Sequence, residues 1–240
     1  MNAVKTLNKG MKIMIAGASG GIGKYLTRQF DVAGNSLYLT FNNSPDKIIP
    51  VIRAQAETFH CDFSRPQDVE SVFAHIPSLD VLINVMGHVE NALIQKMDEG
   101  QWDRVLSSNL KTVFLSCKYG VGKMADGGHI INISSVLGDM GMIGASNYVA
   151  AKGAVEAFTR SFAQECLLKR KVFVNALALG YFDVGMGLNL KENIAATIRE
   201  KIPLKEFGQP EEIMKAVIYI ISSKYISGQT LRVNGGLWNS

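Results

Sequence analysis

Cysteine is scarce in this chain: three residues in 240, odd in number, far apart and without paired spacing. That pattern excludes a disulfide framework or a zinc finger and suits reduced thiols in a cytoplasmic setting. His60, His75, His88 and His129 also lack ligand spacing, so no metal site is expected. No apolar run approaches the roughly 20 residues a membrane-spanning helix needs, so no membrane partner is expected. A secretory signal layout is missing too, because Lys12 and Gly17 bracket only a strand-length apolar run. Neither sign of charge dominates: 25 basic and 21 acidic residues leave a net charge of +4. The densest basic run, Lys169-Arg170-Lys171, reads first as a solvated helix end and second as a docking patch for an acidic partner. With no basic stripe carrying interleaved aromatics, nucleic acid is not an expected partner.

What is present is a core and an alternating pattern. Hydrophobic residues make up 47% of the chain, enough for one large buried core. Apolar strand-like runs fall at Lys12 to Ala16, Ser36 to Phe41, Glu57 to Cys61, Leu79 to Val85, His129 to Ser134, Val172 to Leu177 and Gln229 to Val233. Helical stretches separate them: Ile22 to Ala33, one opened by Pro66, Gln101 to about Met124, Ser146 to Lys169 and Pro210 to Ser222. Strands without polar alternation need cover on both faces. The expected fold class is therefore α/β: a single doubly wound, Rossmann-type domain with a seven-stranded parallel sheet flanked by helices. No linker or repeat divides residues 1–240. The Gly- and Met-rich stretch around 180–205 is less regular and reads as a substrate lid.

Gly17-Ala18-Ser19-Gly20-Gly21-Ile22-Gly23 follows the first strand and opens the first helix. Backbone N–H groups at a helix N-terminus, uncrowded by side chains, suit a pyrophosphate, so this turn is expected to bind a dinucleotide through Gly17, Ser19, Gly21, Ile22 and Gly23. Tyr148 and Lys152 stand one helical turn apart, and Ser135 lies a short loop upstream. A fixed cation beside a phenol favours the phenolate and brings its pKa toward the working range. Alone, such a pair is in most proteins an ordinary pair on an amphipathic helix.

In order along the chain these motifs resemble the short-chain dehydrogenase/reductase family over essentially the whole length. The resemblance implies hydride transfer between a nicotinamide and a carbonyl carbon. It matches Asn109, Ser135, Tyr148 and Lys152 to a catalytic tetrad. Ser135 would hold the carbonyl oxygen and Tyr148 would donate the proton. Lys152 would tune the tyrosine and bind the ribose, and Asn109 would anchor a relay water. It places Asp62 and Phe63 beside the adenine. The segment Asn84-Val85-Met86-Gly87 would line the cofactor, with Asn84 and Gly87 as its contacts, and Gly180 and the backbone of Phe182 would lie by the nicotinamide. Two departures stand out: Leu179 replaces a proline and Val184 replaces a threonine that helps hold the nicotinamide amide.

The end of the second strand, Leu39-Thr40-Phe41-Asn42-Asn43-Ser44, carries no carboxylate to repel a 2′-phosphate. Asn42 and Ser44 can donate to that phosphate and Lys47 can reach it, so NADPH (NADP) is favoured over NAD. Asn91 to Met97 and the ending Ser227 to Gly236 look most like 3-oxoacyl-acyl-carrier-protein reductases. That likeness implies a small-molecule or carrier-protein-bound ketone as partner. Lys169 and Arg170 fit a carrier-docking surface, while Asp126 opposes it. Met140, Met142, Ile143, Tyr181 and Phe182 are expected to shape an apolar pocket. A homotetramer or homodimer follows by analogy. The alternative function is a nucleotide-sensing or scaffold protein that kept the fold and lost turnover.

Overall fold

Lys12–Ala16 (β1) is apolar after its first residue and buried along its length, as a strand covered on both faces must be. The computed structural model of the protein describes residues 10–43 and 56–238. Ser44 and Lys47 lie outside the described residues. Beside β1 run Ser36–Phe41 (β2), Ala56–His60 (β3), Leu79–Asn84 (β4), Met124–Ser135 (β5), Phe173–Leu179 (β6) and Thr230–Val233 (β7). They form one seven-stranded sheet in the order β3-β2-β1-β4-β5-β6-β7. Every pairing is parallel. The strand order reverses between β1 and β4, so a crevice opens at their carboxyl ends.

Helices cover both faces. Gly21–Val32 (α1) and Pro210–Ser222 (α8) pack one side, around Leu26, Phe30, Ile213 and Val217. Pro66–His75 (α2), Thr112–Gly120 (α4) and Ser146–Lys169 (α6) pack the other, around Phe73, Val113, Cys117 and Val155. Cys61, Cys117 and Cys166 are free and buried. No described helix is long and apolar enough to cross a membrane.

Four regions differ from the sequence expectation. The helix expected over Gln101 to Met124 begins earlier, as Glu99–Leu106 (α3), because Asp98 and Gln101 form a reciprocal capping box. It then passes through a π turn at Ser107–Lys111 before α4. β5 starts at Met124 rather than His129, since Gly127 at φ +82° lets the strand bulge and rejoin β4. The stretch after β6 is more regular than expected: a short 3₁₀ turn at Gly185–Asn189 precedes Glu192–Lys201 (α7). A short helix, Leu137–Met140 (α5), follows β5.

A buried chain of polar side chains ties the sheet centre to α4 and α6. Ser116 Oγ donates to Asn84 Oδ1 (2.6 Å), Asn84 Nδ2 to Asn132 Oδ1 (2.8 Å), and Asn132 Nδ2 to Thr159 Oγ1 (2.9 Å). All four residues are fully buried. The Asn132→Ala substitution leaves Asn84 Nδ2 with only the Cys117 sulfur at 3.6 Å. An unsatisfied buried donor costs about 2 kcal/mol, to be read as a lower urea midpoint. An unchanged midpoint would show that the amide chain carries no stability.

Candidate active site

The glycine turn is held in shape by the end of β2. Gly17 N donates to Thr40 Oγ1 (3.0 Å) and Ala18 N to the Thr40 carbonyl (2.8 Å). Gly17 sits at φ +93°, which only glycine adopts without strain. A Cβ on Gly23 would stand 2.4 Å from the Gly17 carbonyl oxygen, so that glycine is needed to close the turn. The N-terminus of α1 has no side-chain cap and no acidic residue in its first turn. Its free N–H groups therefore fit an anion, and the turn fits a dinucleotide pyrophosphate.

Across the crevice the four tetrad residues converge. The Ser135 hydroxyl, at the end of β5, lies close enough to the Tyr148 phenol to oppose the rise of its pKa, and it accepts from Leu137 N at 3.2 Å. Lys152 Nζ lies 5.6 Å from the centroid of the Tyr148 ring and donates to the Ile133 carbonyl at 3.0 Å. The π turn swings Asn109 inward, where its Nδ2 donates to the His88 (2.7 Å) and Val105 (2.9 Å) carbonyls. Asn109 Oδ1 is buried and has no partner. A Cβ on Gly87 would stand 2.7 Å from Asn109 Oδ1 and 3.5 Å from Lys152 Nζ. Gly87 is thus the floor on which the lysine and the unpartnered amide oxygen meet.

Burial governs the electrostatics here. Tyr148 is pushed up to about 12, chiefly by burial, although the Ser135 hydroxyl works in the opposite direction. Burial lowers Lys152 to about 8. The Tyr148 shift runs opposite to the expectation that Lys152 brings the phenol toward neutrality, because burial dominates it.

Several expected cofactor residues turn out differently. The Asn84 side chain is turned into the buried amide chain, between Asn132 and Ser116. The rings of Phe63 and Phe182 are packed in the two cores, because Phe63 meets the Phe73 cluster and Phe182 seats against Gly208. Phe182 therefore does not line the pocket. Asp62 stands at the end of β3, where Ser64 donates to Oδ1 from both N (2.9 Å) and Oγ (2.7 Å), and its carboxyl is held below the usual range. Gly180 N donates to the Val233 carbonyl at 2.9 Å, and a Cβ there would stand 2.8 Å from Asn234 Cα. Asn42 is exposed at the end of β2. The Tyr181 hydroxyl lies 3.9 Å from Met142 Sδ, and the neighbouring Ile143 is 90% exposed.

Two features escaped sequence reasoning. Gly185, at φ +63°, rests directly on the glycine turn: a Cβ on Gly21 would stand 2.2 Å from Gly185 Cα. The second is an ion cluster of Asp139, Glu156 and Arg232 behind the tetrad. Their separation in sequence left no local signal.

A family model described as enoyl-(acyl carrier protein) reductase matches residues 17–238. The 3-oxoacyl-(acyl-carrier-protein) reductase of Staphylococcus epidermidis is 34% identical over 239 residues, covering 94% of this chain and 98% of that protein. Nodulation protein G of Azospirillum brasilense is 40% identical over 173 residues, 70% of each chain. In fold, a dehydrogenase/reductase from Sinorhizobium meliloti superposes with a TM-score of 0.90 at 24% identity, covering 98% of both chains.

Lys152 supplies a pH signature. Its folded pKa of about 8 lies below the ordinary value of 10.5, so the unfolded chain binds more protons between the two. Stability must rise with pH across that window. Relative to Lys152→Met, the wild type is expected to gain about 2 kcal/mol in urea unfolding between about pH 7.5 and about pH 10. A constant difference would show that the ammonium is not penalised by burial.

Proposed function

Because the chain belongs to the short-chain dehydrogenase/reductase family and is an oxidoreductase acting on ketone or hydroxyl groups, we propose that it is an NADPH-dependent ketone reductase. Its substrate on this reading is a 3-oxoacyl thioester or a polyketide-like hydrophobic ketone, and Tyr148 is its proton donor. The observation that carries the reading is the convergence of Ser135, Tyr148 and Lys152, with Lys152 meeting the unpartnered Asn109 oxygen at Gly87.

When bound, the nicotinamide supplies the hydride. The chain's own residues do the rest. Ser135 holds the carbonyl oxygen against the Tyr148 hydroxyl. Tyr148, protonated because burial keeps its pKa near 12, donates as negative charge develops on that oxygen. Lys152, titrating near 8, holds a proton that it can release and is placed for the ribose hydroxyls. The Asn109 oxygen accepts from a water that resupplies Lys152. Segment 180–205 acts as the lid, and Leu179 and Val184 leave the nicotinamide amide to the backbone at Gly180 and Phe182.

The absence of a carboxylate at Asn42 and Asn43 supports NADPH. The substrate class is supported by the names of the relatives and by the apolar mouth at Tyr181, Met142 and Ile143. For a carrier protein the basic end of α6 offers Lys169 and Lys171. The Arg170 guanidinium instead turns onto the Met124 carbonyl at 3.2 Å, and Asp126 accepts from Lys171 N at 3.1 Å. Self-association as a dimer or tetramer fits the apolar groove between α3, α4 and α6, where Phe114 is 43% exposed. A cytoplasmic setting suits the three free thiols.

NADPH absorbance is expected to fall with an acetoacetyl thioester. Tyr148→Phe should lower kcat by about a hundredfold or more; an unchanged rate would rule the tyrosine out as donor. Direct titration should show tighter binding of NADPH than NADH, and the reverse order would overturn the cofactor choice. Tight NADPH binding with no turnover on any ketone would point to a sensor.

A further inference from the structure

Resting on the reductase reading, we propose that Arg232 is a positioning residue: by bridging Asp139 and Glu156 it holds Ser135 and Lys152 in register. Arg232 lies on β7, at the far side of β6 from the strand that ends in Ser135. Its Nε and Nη2 reach the two oxygens of Asp139 at 2.8 and 3.0 Å, a bidentate pair with a fixed plane. Nη2 also lies 3.5 Å from Glu156 Oε2.

Each carboxylate is tied to one side of the catalytic group. Glu156 stands one helical turn after Lys152 on α6, and its side chain is only 4% exposed. Its other oxygen lies 2.9 Å from Ser134 Oγ, which is also 3.1 Å from the Lys152 carbonyl. Asp139 belongs to α5, the helix whose Leu137 N–H donates to Ser135 Oγ. One guanidinium therefore connects the short helix after Ser135, the turn carrying Lys152 and the strand end where Ser134 precedes Ser135. Arg232 and Asp139 stay 27% and 23% exposed, so their pairing contributes little to stability. What the charges add is direction, fixed by a planar fork with two carboxylates on it.

The test uses the full-length enzyme and three variants: Arg232→Leu, Arg232→Lys and the double variant Arg232→Met/Glu156→Met. The double variant removes the charge pair without stranding Glu156, and its melting temperature should stay near that of the wild type. Misplacement by about 1 Å costs on the order of a hundredfold, so kcat of the double variant and of Arg232→Leu should fall by about tenfold to a hundredfold. KM for the ketone should stay within about twofold. Arg232→Lys should recover part of kcat. Wild-type kcat in the folded double variant would overturn the proposal, whether or not Arg232→Leu folds. Were the wild type to reduce no ketone, the reductase reading would fall, and the crystal structure of the double variant would still decide. A displaced Ser135 or α5 would support positioning; an unmoved one would overturn it.

Discussion

Lys152 is 3% exposed, and its ammonium donates to the carbonyl of Ile133 at the carboxyl end of the sheet. Burying that charge is unfavourable, as its lowered pKa records. The arrangement therefore has to come from the surrounding structure. The parallel pairing of β5 with β4 and β6 fixes the Ile133 carbonyl, and α6 delivers the lysine to it from the covering layer. The same helix brings Tyr148 one turn earlier, so the phenol is buried with the ammonium and both titrate away from their ordinary values. A proton-carrying phenol beside a lysine that titrates near neutrality is a consequence of that burial.

Around this pair the crevice is shaped by close approaches of backbone that leave no room for a Cβ. Gly87 passes over Asn109 and Lys152, Gly180 lies against Asn234, and Gly21 lies against Gly185. Each brings a different strand's following loop to one place, as the reversal of strand order between β1 and β4 requires. Behind the crevice, amides do the same for the interior. Asn84 and Asn132 pair side chains across β4 and β5, and Ser116 and Thr159 close the ends on the two covering helices. The sheet centre is thus specified by hydrogen bonds whose loss would leave buried donors without partners.

Much of the frame was legible because its signals are local. Apolar runs without alternation marked the strands, and Pro66, Pro210 and Gly34 punctuated helices. Residues four apart put Tyr148 and Lys152 on one face. Asn109, Ser135 and the glycine turn gained meaning from their order along the chain. The unread parts have non-local causes. The π turn at Ser107–Lys111 looks like uninterrupted helix in sequence, and only the inward reach of Asn109 toward the His88 carbonyl reveals it. The family resemblance made Asn84 a cofactor contact, yet strand pairing turned its side chain to Asn132. Phe182 looked like pocket lining, but its ring packs where Gly208 leaves space.

By itself, the amino-acid sequence determined the α/β class, the parallel sheet and the glycine turn between β1 and α1. These depend on periodicity and spacing, which act within a few residues. Tertiary structure alone decided that Tyr148 and Lys152 are buried together, that Asn84 and Asn132 pair in the core, and that Asp139, Glu156 and Arg232 meet. Arg232 and Asp139 lie 93 residues apart in sequence. Desolvation and ion pairing depend on distance in space, and here that distance is set by the packing of β7, α5 and α6.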